Sequence, residues 1–220
     1  MSALPKVVLF DLDGTLLDSA PDMLATINLM KAARGAAPMA LSQLRPHVSK
    51  GSRAMISAAF PEWDAQMRDA HVPEFLEIYA CESGRHGRPF PGVEDFLQWL
   101  EAAGVRWGIV TNKPEGLARD IVRKVGWHDR SEVLIGGDSL AERKPHPLPL
   151  LHAVATMGVS VDDCVYVGDD ERDIEAARAA NMRSAVALWG YRLEGDAPET
   201  WGGDVMLQDI ADLRAADAWP

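Results

Sequence analysis

The sequence predicts an α/β fold built on a doubly wound parallel sheet, with an α-helical insertion after its first strand. Three observations carry that expectation. Short apolar runs recur along the chain, each ending in a polar, glycine-containing or acidic turn and followed by helical periodicity. The runs are mostly apolar throughout, as strands covered on both faces must be. Between the first and second runs, a long stretch shows helical periodicity and no convincing strand.

In chain order, the first run is Lys6 to Phe10, ending at the acidic turn Asp11-Leu12-Asp13-Gly14-Thr15. The insertion follows. Pro21 to Arg34 places Met23, Ile27, Met30 and Ala33 on one helix face, with Pro21 tolerable in the first turn. Gly51 to Phe60 and Asp64 to Cys81 read as two more helices, and the turn-forming stretch Ser83 to Gly92 reads as a hinge that closes the insertion. The remaining strands are Trp107 to Val110, Val133 to Ile135, Cys164 to Val167, Ser184 to Leu188 and a weaker run at Asp204 to Leu207. Glu175 to Ala180 and Arg214 to Ala218 are alanine-rich and helix-forming. The expected division is a core of residues 1–16 and 91–220 with an insertion at 17–90.

A chain of 220 residues, 47% hydrophobic and 25% charged, can bury a sizeable core and is far from the composition of disorder. Its net charge of -11 repels polyanions at long range, which argues against nonspecific nucleic-acid or anionic-membrane partners. An anionic substrate therefore needs local cations. Cys81 and Cys164 lie far apart without metal-ligand spacing, so they read as buried or half-buried packing residues rather than a disulfide or zinc site. The apolar stretch before Asp11 is too short for a signal segment or membrane span, and a cytoplasmic location is expected.

Ligands of open parallel sheets bind beyond the carboxyl ends of the strands, and four such ends carry chemistry. At the first, Asp11 and Asp13 are separated by one residue. One carboxylate can attack phosphorus while the other protonates the leaving oxygen. Aspartate and glycine are also common turn residues, but a chance D-x-D-G-T arises on the order of once in a few hundred chains of this length. At the second end, Thr111, with Asn112 after it, offers a hydroxyl and helix-opening N–H groups to phosphate oxygens; taken alone, a threonine there is as often only a helix cap. At the third, Lys144 precedes Pro145, so its ammonium is aimed by a fixed turn and can neutralise Asp11 against phosphate repulsion. The fourth, Gly168-Asp169-Asp170-Glu171-Arg172-Asp173, holds more carboxylates than a helix cap requires. Hard oxygens there suit magnesium. Asp169 is the best ligand, and Asp173, one turn into the helix, would hold a metal-bound water or orient Lys144.

Taken together, D-x-D-G-T, Thr111, Lys144 and the G-D-D-x-x-D set resemble the haloacid dehalogenase superfamily of phosphatases, over nearly the whole chain. The resemblance implies a Rossmann-like core with an inserted helical cap of the C1 type. It implies Asp11 as nucleophile, Asp13 as general acid and base, and Thr111, Asn112 and Lys144 as phosphate binders. Magnesium would be held by Asp11, Asp169 and the backbone carbonyl of Asp13. The reaction implied is hydrolysis of a small phosphate monoester through an aspartyl phosphate; a phosphosugar mutase or another hydrolase of the superfamily is the alternative. Lys144-Pro145-His146-Pro147-Leu148-Pro149 matches the K-P-x-P-x-P element of the phosphoglycolate phosphatase group. Val48 to Met55, Val110 to Pro114, Gly168 to Asp170 and Trp201 to Val205 resemble the N-acetylmuramic acid 6-phosphate phosphatases of cell-wall recycling more closely. Asp170 departs from the Ser or Thr of the phosphoglycolate group, and Lys50 stands where the subgroup commonly has Gly.

Both candidate substrates carry a carboxylate, so the insertion should supply a cation. Arg45, His47, Lys50 and Arg53 are close together in it, and Arg53 is the first choice because a guanidinium binds carboxylate bidentately. For Arg45 and His47 a solvated basic face is an equal reading. A non-enzymatic receiver module combines a similar sheet with acidic, threonine and lysine residues. It would place its acceptor aspartate mid-chain without a helical insertion, whereas Asp11 opens this sequence.

Overall fold

The computed structural model describes residues 4–215 and 219 of the chain. Strand β1 (Val7–Phe10) is fully buried. Alternate side chains leave a strand on opposite faces: Val7 and Leu9 join Tyr166, Leu150, Ala153 and Ala177 in one apolar cluster, while Phe10 meets Phe96 edge to face, ring centroids 6.3 Å apart. The other strands are β2 (Leu17–Asp18), β3 (Arg88–Pro89), β4 (Arg106–Val110), β5 (Leu134–Ile135), β6 (Cys164–Gly168), β7 (Arg183–Ala187) and β8 (Val205–Leu207).

Six strands form one parallel sheet in the order β5-β4-β1-β6-β7-β8. These are the six apolar runs expected from sequence, each boundary within one residue. Because β1 lies between β4 and β6, the chain winds outward in both directions from it, and a ligand crevice opens at this reversal. Register sharpens the point. Phe10 lies opposite Ile109 on one side and Val167 on the other, so Asp11, Thr111 and Asp169, which follow these three strands, leave the sheet within one residue of the same level.

The helices are α1 (Ala20–Ala32), α2 (Leu41–Leu44), α3 (Ser52–Ala59), α4 (Ala65–Ala70), α5 (Val72–Glu82), α6 (Val93–Ala102), α7 (Glu115–Lys124), α8 (Leu148–Met157) and α9 (Glu171–Ala179). The chain divides into two compact units, one of Met1–Leu17, Pro89–Gly190 and Ala197–Pro220, the other of Asp18–Arg88 with Tyr191–Asp196. The first contains the six-stranded sheet. Of the expected helix at Arg214 to Ala218, residues 216–218 lie outside the described residues; the chain before them, Ile210–Arg214, is a 3-10 turn. No helix of the described residues is long and apolar enough to cross a membrane.

In the second unit, α1 packs against α2, α3 and α5. Met23, Ile27 and Met30 are buried as the periodicity requires, but Ala33, at the C-cap of the helix, is exposed. Asp22, buried on the same face, accepts backbone N–H bonds from Gly84 at 2.8 Å, His86 at 2.6 Å and Gly87 at 3.0 Å. Three such bonds fix the glycine-rich stretch that sequence marks as a hinge. The single helix expected over Asp64 to Cys81 is broken at His71, because Pro73 in the first turn of α5 lacks an N–H and its ring would clash with a continuing helix. The expectation of no strand in residues 17–90 is also corrected, since β2 and β3 pair at the two ends of the insertion. Cys81, expected to pack, is exposed on α5, whose buried face is Phe75 and Tyr79; Cys164 is buried. The segment Tyr191–Asp196 joins this unit through specific bonds. The Tyr191 hydroxyl donates to Asp18 at 2.7 Å and accepts the Ala20 N–H at 3.0 Å.

Candidate active site

Asp11 begins where β1 ends, and its N–H still reaches the Val167 carbonyl at 2.9 Å. The sheet's own hydrogen bonding therefore fixes this backbone. Its carboxylate accepts from the Lys144 ammonium at 2.9 Å. That ammonium, 2% exposed as a side chain, also donates to Asp173 Oδ1 at 2.7 Å and to the Tyr166 hydroxyl at 2.7 Å. Burial alone would pull the Lys144 pKa down, but the charges of Asp11 and Asp173 outweigh it and hold the pKa above the ordinary lysine value. Lys144 is a permanent cation here.

Asp169 is fully buried and accepts from the Thr15 hydroxyl at 3.1 Å. Its place leaves no room for side chains on either side. A Cβ at Gly14 or at Gly190 would fall 2.2 Å from an Asp169 atom, and Gly14 also has φ +92°. The carboxylate oxygens of Asp11, Asp169 and Asp173 come within 4.8 Å of one another. Three buried carboxylates, two of them bonded to the Lys144 ammonium, form a hard-oxygen donor set that fits a divalent cation such as magnesium. Burial pushes Asp173 up to about 6, with Lys144 opposing and Asp11 and Asp170 reinforcing the shift.

Asp170 has a different task. It caps α9, accepting the Arg172 N–H at 3.1 Å and the Arg172 side chain at 2.7 Å, while Asp173 Oδ2 accepts the Asp170 N–H at 3.0 Å. This reciprocal cap accounts for Asp170 and one oxygen of Asp173.

Thr111 is buried at the end of β4, and its hydroxyl oxygen accepts the Lys113 N–H at 3.3 Å. The amide of Asn112 donates to the Lys144 carbonyl at 2.9 Å, which ties the two loops together. Helix α7 opens only at Glu115, whose N–H is taken by Asp138 at 2.7 Å rather than left for a ligand. Asp13 is held by Lys113, whose ammonium stands 3.2 and 2.9 Å from its two oxygens. In the second unit, Arg53 pairs with Asp69, Lys50 stands 3.4 Å from Asp196, and Arg45 grips both oxygens of Asp18 at 3.0 and 2.9 Å. His47 is half-buried.

Sequence reading did not single out Lys113, Tyr166 or Thr15. The signal for Lys113 was its place two residues after Thr111. Tyr166 offered a weaker one, a hydroxyl inside an otherwise apolar strand, and burial with the nearby Asp173, Asp11 and Asp169 charges drives its pKa well up, so it stays a neutral donor and acceptor.

A family profile for haloacid dehalogenase-like hydrolases matches residues 8–187. The chain belongs to that family. The matched stretch of this haloacid dehalogenase-like hydrolase runs from β1 to the end of β7 and contains every residue of the carboxylate and lysine cluster. Among its relatives, a phosphoglycolate phosphatase of Xylella fastidiosa is 59% identical over 219 residues, covering 100% of this chain and 96% of that protein. An N-acetylmuramic acid 6-phosphate phosphatase of Pseudomonas aeruginosa is 40% identical, covering 94% of this chain and 92% of that protein. Among solved structures, a predicted phosphoglycolate phosphatase from Haemophilus somnus is similar with a TM-score of 0.83 at 26% identity, covering 95% of this chain and 96% of that one.

Proposed function

We propose that this hydrolase is a cytoplasmic, magnesium-dependent phosphomonoesterase whose substrate is a small, carboxylate-bearing phosphate ester, with phosphoglycolate favoured. The observation that carries the chemistry is the buried Lys144 ammonium bonded to Asp11 at 2.9 Å beside a cluster of carboxylates. It sets a fixed positive charge against an aspartate oxygen where a dianionic phosphate must approach. An Asp11 oxygen attacks phosphorus and the ester P–O bond breaks, with Asp13 giving its proton to the departing alkoxide. Asp13, now a carboxylate, takes a proton from water as that water attacks the aspartyl phosphate, and inorganic phosphate leaves. Magnesium held by Asp11, Asp169 and the Asp13 carbonyl, with Asp173 within reach of the same site, would offset the phosphate charge. Thr111 binds phosphate oxygens, and Asn112 acts with it.

Residues 17–90 are proposed as the cap domain and 1–16 with 91–220 as the core domain. Arg53 and Lys50 are proposed to select the carboxylate. The 59% identity to a phosphoglycolate phosphatase supports phosphoglycolate, and the 40% identity to an N-acetylmuramic acid 6-phosphate phosphatase, with the loop Val48 to Met55, supports a second reading in cell-wall recycling. A kcat/KM comparison of phosphoglycolate, N-acetylmuramic acid 6-phosphate and neutral sugar phosphates separates the two. Phosphate release should require magnesium and vanish in Asp11→Asn. Arg53→Ala should raise KM for the acidic substrate far more than for p-nitrophenyl phosphate; equal effects on both would remove Arg53 from the selection.

A further inference from the structure

Tyr166 is placed where an ordinary core residue would serve. It sits inside β6, opposite Leu9 and Ser184, with its ring in the apolar cluster under α8 and α9. A hydroxyl carried into such a place costs free energy unless it is bonded, and this one is bonded twice over. It donates to the Val110 carbonyl at 2.7 Å, in preference to the Asp173 oxygen at 3.4 Å. Its lone pair accepts from the Lys144 ammonium at 2.7 Å.

An ammonium has three N–H donors. Those of Lys144 are met by Asp11 at 2.9 Å, Asp173 at 2.7 Å and Tyr166 at 2.7 Å. Two of these acceptors are carboxylates drawn toward any bound cation, so their positions are shared with another task. Tyr166 is the neutral acceptor, and it is tied to the backbone residue that precedes Thr111. It thus gives Lys144 an anchor on the rigid sheet and links the end of β4 to the middle of β6.

We propose that Tyr166 is a positioning residue, whose hydroxyl, braced on the Val110 carbonyl, fixes the Lys144 ammonium in line with Asp11. The proposal rests on the phosphomonoesterase reading. A phenylalanine fills the same volume but leaves the ammonium with two acceptors and freedom to tilt away from Asp11. Misplacement of a catalytic partner on this scale lowers rate by about ten- to a hundredfold with substrate binding largely retained.

The test compares the parent, Tyr166→Phe, Lys144→Met and the double variant, with magnesium and p-nitrophenyl phosphate. Tyr166→Phe should lower kcat with KM within about twofold of the parent, and should have no further effect in the Lys144→Met background, because the two act as one unit. An unchanged kcat, or a full loss that persists without Lys144, overturns the proposal. A second readout is independent of phosphatase activity. In protein labelled with nitrogen-15 lysine, a buried ammonium with three protein acceptors exchanges slowly and should give a resolved signal, absent in Lys144→Met and broadened or lost in Tyr166→Phe. A parent without that signal, or a Tyr166→Phe protein that keeps it unchanged, refutes the anchoring. A parent that keeps the signal but releases no phosphate defeats the enzymatic reading instead.

Discussion

Replacing Lys113 with methionine removes a buried cation while keeping much of its volume. Lys113 stands 2.9 and 3.2 Å from the two Asp13 oxygens, with side-chain exposures of 3% and 13% for the pair. At an effective dielectric near 20, opposite unit charges at about 3 Å attract by roughly 5 kcal/mol, most of which offsets desolvation. Removing one partner of a fully buried pair costs about 3–5 kcal/mol; Asp13 keeps some exposure, so the lower end or less is expected. The catalytic consequence is more specific. Asp13 loses the contact that holds both its oxygens, and the general acid–base role proposed for it, of a kind that contributes about 10²- to 10⁴-fold, depends on its placement. We expect kcat to fall roughly 30-fold on an alkyl phosphate, whose leaving oxygen needs a proton, and less on p-nitrophenyl phosphate, whose leaving group does not. Lys113→Arg should recover part of the loss, because a guanidinium can also bind both oxygens. Steady-state rates on both esters, with melting temperatures as the folding control, decide the matter. A Lys113→Met enzyme within twofold of the parent on the alkyl ester would show that the ion pair does not position Asp13.

Two further outcomes follow from the same geometry. Asp173 has its pKa raised to about 6 in the folded protein, so its contribution to stability is complete below the unfolded carboxylate value and is lost as pH rises through about 6. Asp173→Asn should therefore flatten the dependence of melting temperature on pH over that window in metal-free protein; an unaltered slope would contradict the shift. Gly190→Ala places a methyl 2.2 Å from Asp169, and displacing that carboxylate should raise the magnesium concentration for half-maximal activity by about tenfold. A magnesium titration with the parent's midpoint would mean Asp169 is not a ligand.

The sheet was legible because its central strands are buried on both faces, which leaves little choice but an uninterrupted apolar run such as Val7 to Phe10. The acidic strand ends were legible for the converse reason: carboxylates placed directly after a buried strand have no ordinary structural purpose beyond a cap. Asp170 shows the limit of that inference, since capping α9 is what its side chain does. Lys113 and Tyr166 were hidden because their meaning lies in partners 100 and 22 residues away, Asp13 and Lys144. No local periodicity reports such distances. The break at His71 was missed because apolar spacing continued across it, while the deciding fact was a single absent N–H at Pro73. Among the cations of the insertion, sequence gave spacing but not partners, and the structure supplies Asp69 for Arg53, Asp196 for Lys50 and Asp18 for Arg45.

The segment Tyr191–Asp196 bears on how such proteins can be recombined. It lies far along the chain from Asp18–Arg88 yet is built into the same unit. A chimera that exchanged Asp18–Arg88 alone would keep Tyr191 and Asp196 but set them against the donor's residues in place of Asp18 and Lys50. Functional grafts between relatives therefore have to carry two pieces of chain together, and a change of substrate that arises by exchange of the insertion is constrained by six residues on the other side of the gene.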